Sequence, residues 1–292
     1  MPSQEIAIPA SKSGPASKWK CHKLESFSDF LGNFKVPPRK APYGYLELFS
    51  GAGREPCDKL DCPLEGSALR ALKYPARFAF FGFLTRTRKA ASALETSSEQ
   101  YPGELLRIIS GNPNNEKVLW RLLDMLPRSA SALVFIDPAG YRRLDWQTIE
   151  RLARHGQNWQ GEKVDLLIIF PLEMALLRNL MRPECQGSVT RFYGNHQWEQ
   201  IKRDKNVRKW KPEEVKRKLV ELYKAGLFGL GYRYVEDYKP SSPTHDPYFQ
   251  IIYASDTVSR LGEIRAAWGK SRFLRCELLF GTDNKPAPKR VK

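Results

Sequence analysis

The sequence has no CxxC pair, no P-loop, and no nucleophile-elbow pattern around Ser67, the serine that follows Gly66. These absences argue against a zinc ribbon, a phosphate-cradling nucleotidase and a serine hydrolase. The five cysteines, Cys21, Cys57, Cys62, Cys185 and Cys276, are odd in number and scattered, which disfavours a disulfide framework. Cys57 and Cys62 read as an ordinary thiol pair rather than a site. His22, His155, His196 and His245 show no metal-ligand spacing, so no metal is expected. No apolar run approaches the roughly 20 residues that a membrane helix requires. The first 20 residues lack the apolar core of a secretion leader. The expectation is a soluble, reduced, cytoplasmic protein with no membrane partner.

Positive charge is abundant. Lys and Arg number 48 against 32 Asp and Glu, a formal net charge of +16 over 292 residues. Such a chain attracts polyanions before any specific contact forms, and nucleic acid is the expected partner. The charge is concentrated in residues 201–220, where Lys202, Arg203, Lys205, Arg208, Lys209 and Lys211 stand among few acids. Trp198 and Trp210 interleave with them, and exposed aromatics there would stack on bases. The alternative is that both tryptophans belong to the core.

Hydrophobic residues make up 41% of the chain, enough for a substantial core. Residues 1–17 read as a flexible Pro/Ser/Lys-rich arm, and residues 281–292 as a basic disordered tail. Between them, 18–280 read as a single domain with a basic insert at about 185–211. Leu24, Phe27, Phe30 and Leu31 have helical spacing within 19–34. Strand patterns follow at 43–49, 77–84, 105–110, 132–136 and 164–170. Helical patterns separate them at 87–95, 116–126 and 145–154, and another follows at 172–181. This alternation predicts a mostly parallel sheet with helices on both faces. After a helix at 212–225, strands at 232–238 and 248–254 are joined by a loop too short for a crossover, so they should be antiparallel. The predicted class is α/β: the Rossmann-like class I methyltransferase fold with a C-terminal antiparallel hairpin.

Two segments carry candidate chemistry. Strand one places Glu47 ahead of a turn of small residues, Ser50-Gly51-Ala52-Gly53, with Phe49 between. Glycines let a backbone approach a ligand, and ligands of open α/β sheets sit at the strands' carboxyl ends. In the methyltransferase reading, Glu47, Phe49, Ser50, Gly51, Ala52 and Gly53 hold the amino-acid end of S-adenosylmethionine. Glu47 takes the ammonium directly or through water. The fourth strand ends in Asp137-Pro138-Ala139-Gly140-Tyr141. This puts Asp137 at the rim of the same cleft, or has it simply cap a turn before Pro138.

Residues Tyr45–Gly53, Glu65–Leu69 and Val134–Gly140 occur in the order seen in the three-Cys-motif partner (TcmP) family. They resemble that family's "iDlFAGpG", "GSPl" and "FiDPfG" segments. The likeness continues through Arg178, Phe192-Tyr193-Gly194 with Trp198, and Tyr248–Ala254, covering most of residues 18–270. It implies a methyltransferase fold, a transferase without a fixed substrate and a protein partner encoded nearby. In amino-methyltransferases a similar acid-Pro-Pro-aromatic corner grips the target amine. Here Asp137, Pro138, Gly140 and Tyr141 are the corresponding catalytic candidates, with the aromatic one place late.

The second strand departs from nucleotide-binding sheets, which carry an acid at its end for the ribose hydroxyls. No carboxylate lies between Glu65 and Glu95, and Arg86, Arg88 and Lys89 stand in that place. Cations at a helix N-terminus oppose its dipole. The corner therefore reads as a contact for a phosphorylated ligand or nucleic acid, as a sign of lost cofactor binding, or as solvent-facing charge. Two functions follow: a methyltransferase-like protein acting on or with nucleic acid, or a catalytically degenerate scaffold that binds nucleic acid or a partner.

Overall fold

The computed structural model describes residues 15–34, 42–55, 64–101, 105–127, 130–155, 163–172, 176–239 and 250–258. The C-terminal tail, Cys57, Cys62 and the arm up to residue 14 lie outside them. Pro15–Asn33 form α1, so the helix begins inside the segment read as an arm. Pro at the start of a helix supplies a ready φ and gives up an N–H that has no partner there.

Seven strands form one sheet: β1 (Tyr43–Ser50), β2 (Phe80–Thr85), β3 (Leu106–Ser110), β4 (Ser131–Ile136), β5 (Asp165–Phe170), β6 (Tyr234–Tyr238) and β7 (Gln250–Ser255). Their order is β3-β2-β1-β4-β5-β7-β6. The first five pair in parallel, while β7 is antiparallel to both β5 and β6. This is the Rossmann-like class I methyltransferase order, with the expected hairpin at its end. β1, β2, β4 and β5 are almost wholly buried and almost wholly apolar, as parallel strands covered on both faces must be.

The two-residue period of β1 divides the core. Leu46 and Leu48 face one cluster, with α4 (Glu116–Leu123), α5 (Trp146–His155) and the C-terminal helices; Tyr45 faces the other, with α1, α2 (Ser67–Leu72) and α3 (Arg88–Ser98). The second cluster is strongly aromatic. Phe27 of α1 stacks on Phe135 of β4 at 4.4 Å between ring centroids and meets Tyr45 at 6.3 Å.

Within the helix expected at 172–181, Leu172 and Leu176 have π-helical and Leu177–Asn179 α-helical backbone among the described residues. Asn179 is buried there and donates to the Tyr141 hydroxyl at 3.3 Å, a side-chain demand that hydrophobic spacing does not reveal. The basic segment folds as α6 (Gln186–Tyr193) and α7 (Trp198–Val207), ahead of α8 (Pro212–Gly229). Val189, Phe192, Tyr193, Trp198 and Ile201 all enter the larger core, so this segment is part of the domain's packing. Gly194 closes α6 at φ +70°, and a Cβ there would lie 2.2 Å from the Trp146 ring.

Phe27→Ala would remove the ring that clamps α1 to β1 and β4. The expected loss is about 3–5 kcal/mol of stability, measured by urea unfolding.

Candidate functional site

β1 lies where the strand order reverses, with β2 on one side and β4 on the other. Crevices at such switch points, beyond the carboxyl ends, are where open α/β sheets bind ligands. The end of β1 is irregular. Its register against β2 shifts between Leu48 and Ser50, and Phe49 adopts φ +72°. A bulky residue in the left-handed region is strained by roughly 1–3 kcal/mol, and such strain collects at functional turns. Gly53 follows at φ +86°, and its carbonyl accepts from Gly66 N at 2.7 Å. That bond ties the turn to the start of α2 and brings Ser67 under the strand.

Glu47 is 1% exposed. Its Oε1 accepts from Ser67 Oγ at 2.6 Å and its Oε2 from the Tyr45 hydroxyl at 2.9 Å. Burial pushes its carboxyl up to about 7, against the opposing pull of these two hydrogen bonds. The Asp137 charge adds to the rise, so the ends of β1 and β4 share one electrostatic neighbourhood. The Ser50 hydroxyl lies close enough to favour the Glu47 carboxylate, yet it is buried without a hydrogen bond of normal geometry. Gly51 is exposed, Ala52 half-buried and Gly53 buried.

Asp137 sits at the rim, with its side chain 20% exposed. Its Oδ2 is ion-paired with Lys23 Nζ of α1. Pro138 is buried, and Gly140 takes φ +145° with open space where a Cβ would stand. Tyr141 does not serve as a stacking platform. It is 1% exposed and packs edge-on against Phe192 at 5.9 Å. Its hydroxyl lies 3.0 Å from Ser188 Oγ and accepts from Arg142 Nε at 3.2 Å as well as from Asn179. Its place is in the core behind the corner.

At the end of β2, Thr85 is fully buried and its hydroxyl is committed to the Ile109 and Thr87 carbonyls at 3.3 and 3.1 Å. Thr87 then caps α3, accepting from Ala90 N at 3.2 Å, which offsets part of the unfavourable charge placement. Arg86, Arg88 and Lys89 are exposed and make no ion pair with the described residues. The other basic group behaves differently. Arg203 bonds Gln200 at 3.0 Å and lies 3.8 Å from Glu199. Arg208 lies 3.7 Å from Asp204 and over the Trp210 ring. Lys205 and Lys202 are half-buried; Lys209 and Lys211 are exposed. Trp198 is core, with its indole N–H donating to Thr190 Oγ1 at 3.0 Å, so it cannot stack on a base. Trp210 is half-buried against the same core. The helices bearing the two basic groups, α3 and α7, pack on opposite faces of the sheet.

The structure thus joins Glu47, Ser50 and Asp137 and adds Lys23, Tyr45 and Ser67. Ser67 lies within a segment the family resemblance had marked, but its bond to Glu47 spans 20 residues and leaves no periodic trace. Lys23 is 114 residues from Asp137, and nothing in the sequence signals that pair. Among the described residues no group of His, Cys, Asp and Glu is arranged to hold a metal, and no helix is long and apolar enough to cross a membrane.

No family model matches the chain, and no curated protein does. Solved structures similar to it include protein LPL1258 from Legionella pneumophila, with TM-score 0.47, 11% identity, and coverage of 92% of this chain and 94% of that one. The METTL16 MTase domain has TM-score 0.42, 11% identity, and coverage of 86% and 72%. Precorrin-6y C5,15-methyltransferase from Geobacter metallireducens has TM-score 0.38, 13% identity, and coverage of 78% and 87%. At these identities and scores none of them assigns a chemistry to this chain, and the fold rests on its own strand order. The TcmP likeness stays a resemblance.

The raised Glu47 value has a calculable consequence. Between pH 4.5 and about 7 the folded protein holds a proton that the unfolded chain releases, so Glu47 lowers stability progressively as pH rises through that window. Glu47→Gln removes this dependence. The variant should gain on the wild type between pH 5 and 7.5, by on the order of 3 kcal/mol at most, in urea unfolding at stepped pH.

Proposed function

We propose that the protein is an S-adenosylmethionine-dependent methyltransferase-like protein that acts on or with nucleic acid. The observation that carries this reading is the end of β1: a strained Phe49 and a buried Ser50 hydroxyl without a hydrogen bond of normal geometry, followed by the exposed Gly51, beside Asp137 at the switch point. A buried hydroxyl held only by a poorly formed approach to Glu47 would gain from a ligand group. These features fit the amino-acid end of the cofactor, held by Ser50, Gly51, Ala52 and Gly53 with Phe49 shaping the turn. Glu47 would act from behind through its field, because both its oxygens are already engaged. When bound, the cofactor supplies an electrophilic methyl group. Asp137, with Pro138 and Gly140, would orient an acceptor amine, chiefly a positioning effect. Tyr141 would fix that corner from within the core.

The ribose end fits less well, since the end of β2 offers cations and a committed threonine instead of a carboxylate. That observation favours the second reading, a degenerate scaffold that binds nucleic acid or a protein partner. The nearby-encoded partner rests on the family resemblance alone. In both readings the unpaired Arg86, Arg88 and Lys89 supply phosphate contacts at the carboxyl edge, with Lys202, Arg203, Lys205, Arg208, Lys209 and Lys211 as a second, partly neutralised group.

Calorimetric titration of nucleic-acid-free protein with S-adenosylmethionine separates the two. Micromolar binding that disappears in Gly51→Asp, with unchanged melting temperature, supports the methyltransferase. No binding by folded protein, alone and with nucleic acid present, supports the degenerate scaffold. Gly51 is the better control than Gly53, whose added Cβ would meet Leu94 at 3.0 Å.

Charge reversal of Arg86 and Arg88 should weaken nucleic-acid binding. The slope of log K against log salt should fall by about 0.7–0.9 for each phosphate that is no longer neutralised. An unchanged slope in a salt-stepped titration assigns the phosphate-binding role to other cations.

A further inference from the structure

Helix α1 is held to the domain in two unlike ways. From Leu24 onward it is anchored by apolar burial: Leu24, Phe27, Phe30, Leu31 and Phe34 are all buried in the core. Just ahead of Leu24, Lys23 reaches the site through a polar contact. Its ammonium is ion-paired with Asp137, and both side chains are about four-fifths buried, at 21% and 20% exposure. Lys20, one turn earlier, lies in the same field. Its ammonium pKa is lowered by burial and by Lys23, while Asp137 acts to raise it. The carboxylate at the β4 corner is already occupied by a cation of the chain itself.

We propose that the first turns of α1 are a plug: Lys23 occupies Asp137, the carboxylate that would otherwise meet the acceptor amine, and the helix ahead of Leu24 leaves before the crevice fills. The Phe27–Phe34 segment is the fixed end on which it moves. The identity of the ligand rests on the methyltransferase reading; the plug itself rests on the α1–Asp137 contact. A protein whose competent state is a minor population binds its ligand more weakly by that fraction. Releasing the plug therefore raises apparent affinity.

The test uses full-length Lys23→Gln, with Asp137→Asn breaking the same pair from the other side. Hydrogen exchange on ligand-free protein should show amides 19–26 opening at least about 10-fold faster in both variants, with those of 27–34 unchanged, as local opening against a stable core requires. Equal exchange in wild type and both variants overturns the plug. Titration with S-adenosylmethionine, which would enter the same crevice beside Asp137, should show Lys23→Gln binding about 10-fold more tightly than wild type. Weaker or unchanged binding by Lys23→Gln overturns the proposal, and weaker binding makes Lys23 a ligand contact. If neither protein binds S-adenosylmethionine, the methyltransferase reading fails, and the exchange result alone decides the plug.

Discussion

The exit of β1 constrains everything around the cleft. The strand is central and buried on both faces, so its direction is fixed by β2 and β4. The chain can leave the sheet and reach α2 only by turning sharply, which it does through the left-handed backbone of Phe49 and Gly53. The Gly66–Gly53 hydrogen bond then locks the turn to α2. Strain at Phe49 is local and small beside the burial of an aromatic-rich core, so the fold sustains it. The arrangement leaves the Ser50 hydroxyl without a hydrogen bond of normal geometry and puts Ser67 on Glu47.

The electrostatics of the cleft follow from that geometry. Glu47 is buried deeply enough to resist ionisation, yet two hydroxyl donors stabilise its charged form. Asp137 remains at the rim, where a lysine can reach it. The two carboxyls thus have different environments: one titrates near neutrality inside the protein, the other is charge-compensated by α1.

The basic character of the chain is distributed unevenly. Around α7 the arginines are partly neutralised by Glu199 and Asp204, and Trp198 is consumed by packing. At the end of β2, three cations make no ion pair among the described residues. Net charge alone singles out the α7 segment; side-chain pairing leaves the smaller group at the end of β2 the less neutralised of the two.

The sequence by itself determined the sheet. Near-continuous apolar runs of strand length, separated by amphipathic helical segments, leave few ways to bury both faces, and a short connection before β7 forces an antiparallel end. It also marked Glu47, Ser50 and Asp137, because acids and small residues at strand ends break an otherwise apolar pattern. Tertiary structure alone decided which of these meet and with what. Tyr141 reads as the aromatic of a catalytic corner, but it lies in the core, bonded to Asn179, Ser188 and Arg142. The helical segment anticipated after β5 is present, but its spacing does not reveal that Asn179 donates to the same hydroxyl. Lys23 joins Asp137 only because the aromatic face of α1 docks on Tyr45 and Phe135. Periodicity is local and survives in sequence; partner choice across 20 or 114 residues is set by packing and does not.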